Sequence, residues 1–317
     1  MSGVRKIELR RLSFSALRHA ADLESKLRGT GSVLLVRCTT AAVFRRCLDF
    51  SLPSGGWLTI GAFPFQIGGG IIEVDSTPLQ GSVPVVGEAL ELAVDFARSS
   101  AHDCKILPLT NQFALCSDSG LSFEAIISVL MPVNDPEIEV VRNQLNMFSR
   151  FFDPLASVDQ DDVDHDDNVN STQFCSALIG LGPGLTPLGD DVILGVLASW
   201  TALNRPGIDL LRNELKPLMI RTTNVSSRML NYGINGIFPE GLCLMARGIA
   251  MGETLNLDGT IDYSTLKSGG SQIFCHSKHN VGNPSFLEMG IRLCSRFGHT
   301  SGQGMIAGFL LGTLGNL

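Results

Sequence analysis

The sequence predicts an α+β protein, with a β-rich mixed part over residues 1–133 and a mainly helical, glycine-punctuated part over residues 134–317. Three observations carry that expectation. Short β-branched and apolar runs fill the first 80 positions, parted by Pro53-Ser-Gly-Gly56 and Gly68-Gly-Gly70. Apolar residues recur at helical spacing from Asp135-Pro136 onward. The stretch Gly180-Leu-Gly-Pro-Gly-Leu-Thr-Pro-Leu-Gly-Asp-Asp191 then sets a stiff, glycine-rich loop directly before a long apolar segment.

Taken in order, residues 32–38, 43–51, 57–60 and 71–74 read as strands. Residues 85–98 read as a helix, because Val86, Leu90, Ala93 and Ala97 recur at three or four. Asp135 followed by Pro136 has the form of a cap and first helical residue, with Ile138, Val141, Leu145 and Phe148 on one face of the helix. Residues 159–168 form an acidic break. They lack the central glycine and closing glutamate of an EF-hand loop and read as a solvated linker. The segment 188–195 lies over 301–308 without gaps: a glycine near the start, polar or small positions, three apolar residues, then Gly195 or Gly308. Two helices with converging N-termini and a close glycine contact are expected from this pattern.

Composition narrows the function classes. The net charge is −7, yet six aspartates lie between 159 and 167, so the rest of the chain is nearly neutral and offers no basic face to nucleic acid. Eight scattered cysteines without a C-x-x-C pair read as buried, reduced thiols. The charged N-terminus lacks a secretory apolar core, and the apolar runs near 192–203 and 305–311 are too short to cross a bilayer. A soluble, cytoplasmic protein without a membrane partner is expected. The high apolar and low charged fractions also fit a homo-oligomer or a larger complex.

The loop carries the chemistry. A helix that starts after such a turn aims free N–H groups and its positive dipole end at whatever sits in the loop, which suits a small carboxylate or phosphate. Gly182, Gly184, Thr186 and Gly189 are the candidate ligand-binding residues there. Neither a P-loop nor a G-x-G-x-x-G fingerprint is present. Asp190 and Asp191 are the candidate acid/base pair, and three roles stay open for them: dipole-stabilising acids, ligands of a bridging Mg²⁺, or acceptors for a ligand's amide. Arg221-Thr-Thr-Asn-Val-Ser-Ser-Arg228 adds Thr222 or Thr223 as a helix cap, Ser226, and two arginines able to clamp an anion. His299-Thr-Ser-Gly302 adds a candidate general acid/base in His299 and binding groups in Thr300, Ser301 and Gly302. Cys275-His-x-x-His279 has no second ligand pair, so no metal site is assigned.

At the glycine loop, at Thr222-Thr223 with Ser226, and at Thr300-Ser-Gly302 with Ala307-Gly308, the chain resembles the AllH family, over roughly residues 176–312. That family includes a subunit of the oxamate carbamoyltransferase of anaerobic allantoin breakdown. The resemblance implies a cytoplasmic subunit that helps pass a carbamoyl group between oxalurate and phosphate, giving oxamate and carbamoyl phosphate, alongside other subunits of the complex. Leu188 stands where the family pattern has serine, and Gly304 where an aspartate often stands. Two further readings remain: a non-catalytic ligand-binding or regulatory subunit, and a Mg²⁺-dependent hydrolase built on Asp190 and Asp191. No cofactor other than Mg²⁺ in that last reading is implied.

Overall fold

The computed structural model describes residues 4–8, 11–13, 33–44, 47–53, 55–62, 71–74, 84–95, 100–102, 105–106, 108, 122–131, 136–152, 171–255, 275–276, 285–298 and 300–314. The chain divides into two compact units, Met1–Lys105 and Ile106–Leu317. The fold is α+β, with a β-rich front and a mainly helical back.

The first unit holds one mixed sheet built from β1 (Val4–Glu8), β2 (Arg11–Ser13), β3 (Val33–Val43), β4 (Cys47–Ser51), β5 (Trp57–Ala62), β6 (Ile71–Val74), β7 (Ala89–Asp95) and β8 (Ser100–His102), in the order β1-β7-β3-β4-β5-β6-β2-β8. Its centre, β7-β3-β4-β5, is antiparallel throughout. Alternation places one face inside: Val36, Cys38, Leu48, Phe50, Leu58, Ile60, Leu90 and Leu92 are all buried.

Two expectations change here. The described residues 85–95 do not form a helix. Residues 89–95 are β7, paired antiparallel with β3 and parallel with β1. The deciding period is two: Leu90 and Leu92 bury while Glu91 between them does not. Val86, the first member of the supposed helical stripe, is 61% exposed. Nor is 43–51 one strand, because Val43 ends β3, Cys47 begins β4, and Val43 pairs with Leu48 across the hairpin.

The second unit contains α1 (Phe123–Leu130), α2 (Pro136–Met147), α3 (Ser149–Phe152), α4 (Ser171–Leu178), α5 (Leu188–Ala202), α6 (Ile208–Leu218), a 3₁₀ turn (Met219–Arg221), α7 (Asn224–Ile234), α8 (Glu240–Ala250), α9 (Phe286–Ser295) and α10 (Ser301–Leu314). A short antiparallel pair, β9 (Thr254–Leu255) and β10 (Cys275–His276), lies between α8 and α9 in sequence. On α2 the predicted face is the buried one: Ile138, Val141, Leu145 and Phe148 all lie in the core. Its cap Asp135, the acidic stretch 159–168 and His279 lie outside the described residues.

At the centre of the core are α5 and α10. Every residue of α5 is buried, as is every residue of α10 from Ser301 to Thr313. The two run side by side in the same direction: Gly304 faces Leu188, Gly308 faces Val192, and Gly312 faces Val196. A Cβ on Gly308 would overlap the Val192 carbonyl, and one on Gly195 the Met305 carbonyl. The absence of side chains there is what lets the backbones touch. Among the described residues no helix is long and apolar enough to cross a membrane.

Candidate functional site

Because α5 and α10 are parallel, their N-termini share one end of the core. The expected helix starts fall at Leu188 and Ser301. The two ends touch through a hydroxyl pair, with Thr186 Oγ1 2.7 Å from Ser301 Oγ.

The loop before α5 turns on left-handed glycines, Gly182 at φ +108° and Gly184 at φ +94°. Its base is closed by two backbone bonds, Leu181 N–H to the Leu178 carbonyl and Gly189 N–H to the Leu181 carbonyl, both 2.9 Å. Thr223 ties the outer rim by donating to the Leu185 carbonyl. Meanwhile the N–H groups of Gly182, Gly184, Leu185 and Thr186 reach no acceptor among the described residues. Gly184 and Leu185 are exposed. The result is a fixed loop with open donors at the head of a buried helix.

Asp190 and Asp191 face different surroundings, since neighbouring residues on a helix point in different directions. The Asp190 carboxylate accepts from three donors: Gly180 N–H at 2.7 Å, Ser226 Oγ at 2.6 Å, and the Thr222 hydroxyl. Burial pushes its carboxyl up, and those three donors pull it back. Asp190 thus fastens the start of the glycine loop to the start of α7. Thr223 caps α7 by accepting from Ser226 N–H at 3.1 Å, as the sequence suggests.

The Asp191 carboxyl is also buried, and its Oδ2 has no hydrogen-bond partner among the described residues. Burial, reinforced by the charge of Asp190, holds this carboxyl well above the ordinary carboxylate range. Asp191 therefore holds its proton more tightly than a solvated carboxyl does. Both Asp190 oxygens are committed to protein donors.

The remaining candidates lie as follows. Arg221 is exposed and donates to Ser176 Oγ at 2.8 Å. Arg228 acts on Tyr232 on the same helix, pulling down a phenol that burial raises. The Thr300 carbonyl accepts from Gly304 N–H at 3.0 Å, inside the first turn of α10, and Gly302 packs on the Cys294 carbonyl of α9. His299 lies outside the described residues. Glu240 opens α8, and among the described residues no group of three or more His, Cys, Asp or Glu gathers as a metal site. Leu188 and Gly304 meet: a Cβ on Gly304 would stand 2.7 Å from Leu188 Cδ1.

Sequence reasoning missed Gly180, whose N–H holds Asp190, and Leu185, whose carbonyl holds Thr223. It also missed Gln303, buried in α10 and donating to the Leu130 carbonyl at the end of α1. A lone glutamine in an otherwise apolar helix was the available signal.

Against known proteins, the model of a family described as oxamate carbamoyltransferase subunit AllH matches residues 178–272. No curated protein and no solved structure shows a significant match. The matched segment includes the glycine loop, both aspartates and α7, whereas Ser301 and α10 lie beyond it. Over residues 178–272 the chain is similar to the AllH family.

Proposed function

We propose that the loop 180–187 binds the carboxylate or phosphate end of a small anion, in a subunit of a carbamoyltransferase-type enzyme that works on oxamate, oxalurate and carbamoyl phosphate. The observation that carries this reading is the set of open N–H groups at Gly182, Gly184, Leu185 and Thr186, in a loop held rigid at the N-terminus of a buried helix. The family description supplies the chemistry and, being that of a subunit, the expectation of partner subunits. In the reaction, a phosphate oxygen forms a bond to the carbamoyl carbon of oxalurate. The carbon–nitrogen bond breaks, and the departing nitrogen takes a proton to become the amide of oxamate. Pre-formed N–H donors favour the charge that builds on oxygen during such a step. Arg221, exposed beside the start of α7, neutralises the bound anion from outside.

A second reading assigns this chain the binding and leaves the chemistry to a partner subunit. It is favoured because Asp190, the aspartate that joins the loop to α7, is committed to three donors and is not free to act as a base.

The test is a thermal-shift titration of the chain with oxamate, phosphate and carbamoyl phosphate. A ligand at 100 times its Kd adds about 2.7 kcal/mol of stability, a visible rise in Tm. Gly182→Ala, which places a side chain on a left-handed turn residue, abolishes the rise. A Tm unmoved by all three anions overturns the proposal. Binding without turnover when all subunits are present selects the second reading.

A further inference from the structure

We propose that Thr223 is a positioning residue for the anion loop: it holds the Leu185 carbonyl back and so turns the Thr186 N–H, which shares that peptide unit, toward the bound oxygen. The proposal rests on the anion-binding reading of the loop. Its basis is one hydroxyl with two partners. Thr223 Oγ1 accepts from Ser226 N–H at 3.1 Å and donates its own proton to the Leu185 carbonyl. The first bond caps α7. The second crosses to the loop, 38 residues earlier in the chain.

A trans peptide unit points its C=O and its N–H in opposite directions, so fixing one fixes the other. With the Leu185 carbonyl drawn to the head of α7, the Thr186 N–H points away from Thr223. That N–H reaches no acceptor among the described residues. An anion in the loop then meets a donor, where an untethered peptide unit could equally present its oxygen. A carbonyl turned toward an anion repels it. The one bond from Thr223 thus supplies an attraction and removes a repulsion.

The base from which Thr223 acts is itself fixed. Gly180 packs so closely on the next segment that a Cβ there would stand 2.5 Å from the Arg221 carbonyl oxygen. Asp190 accepts from both Gly180 N–H and Ser226 Oγ, which joins the start of the loop to the first turn of α7. Thr223 holds the outer rim from that anchored turn. Thr186 has a second neighbour as well, since its Oγ1 lies 2.7 Å from Ser301 Oγ of α10. Its N–H is set through Thr223 and its side chain by Ser301.

The experiment is calorimetric titration of the chain with oxamate at neutral pH, with a thermal melt of every variant alongside. Thr223→Gly is the discriminating change, because glycine caps a helix about as well as threonine but has no hydroxyl for Leu185. It is expected to melt close to the parent and to bind oxamate ~10-fold or more weakly, the effect of one lost hydrogen bond to a charged group. Thr223→Ser keeps the hydroxyl and restores the affinity. In ¹⁵N-labelled protein, saturating oxamate shifts the Thr186 amide resonance in the parent and in Thr223→Ser, and leaves it in place in Thr223→Gly. Parent-like affinity in Thr223→Gly overturns the inference and leaves the anion site standing, with Thr223 a helix cap alone. Affinity lost equally in Thr223→Ser also overturns it, as does a Thr186 amide that oxamate does not move in the parent. No oxamate binding by the parent overturns the anion site and this inference with it.

Discussion

The two sides of the α5 N-terminus carry the same chemical group one residue apart and treat it in opposite ways. On the α7 side, Asp190 gathers three donors drawn from Gly180, Thr222 and Ser226, and so joins the glycine loop to a neighbouring helix. On the α10 side, Asp191 is buried with an Oδ2 that has no hydrogen-bond partner among the described residues. A carboxylate surrounded by donors is a structural fastener; a buried carboxyl short of donors holds its proton more tightly than a solvated one. The lesson is that adjacency in sequence says little about shared chemistry. The partners do, and they come from other segments.

The largest effect is expected from breaking the well-satisfied side. Asp190→Ala leaves one N–H and two hydroxyls without their acceptor and is expected to cost about 3–4 kcal/mol, read by urea unfolding. A loss below about 1 kcal/mol would show that the donors find other partners and that the fastening is weak. Next comes the contact that keeps the two sides in register. Gly308→Val drives a side chain into the Val192 carbonyl and is expected to cost about 2–3 kcal/mol, while also separating Thr186 from Ser301. Unchanged stability in thermal melts would contradict the close backbone contact.

The smallest effect has the opposite sign. Asp191 has a folded-state pKa above its ordinary value, so the native state holds the proton more tightly than the unfolded chain. Its contribution to stability is full below the unfolded value of 3.8 and is lost as pH rises from there toward the folded pKa. Asp191→Asn is therefore expected to raise Tm by a few degrees near neutral pH, with the gain shrinking on acidification. A variant that melts lower than the parent at neutral pH would place an ionised, stabilising carboxylate at that position.

Much of this arrangement was legible in the chain. The match of 188–195 to 301–308 located both helix starts, and the paired glycines anticipated the backbone contact between α5 and α10. Thr223 was readable as a cap because capping is local, reaching three residues along the chain. What separates Asp190 from Asp191 was not readable. The hydroxyls on Asp190 stand 32 and 36 residues away, and the link between Thr186 and Ser301 spans 115. No period or motif encodes such pairings. The helix expected over 85–98 failed for a related reason: a strand flanked by β1 and β3 takes its period from its neighbours, and the stripe beginning at Val86 matched a helix by coincidence.

The parallel contact of α5 with α10 also bears on the order in which the protein is made. A ribosome releases Leu188–Ala202 more than 100 residues before Ser301–Leu314. Until the later helix emerges, the earlier one presents Val192, Gly195 and Val196 to solvent or to whatever shields nascent chains. Closing so distant a contact is slow, because loop-closure entropy opposes it until the packing forms. The glycine loop can thus be complete in sequence long before its partner hydroxyl on Ser301 exists. Pulse-labelled nascent chains arrested before residue 301 should be digested by protease within the 188–202 segment, and those arrested well beyond residue 314 should resist.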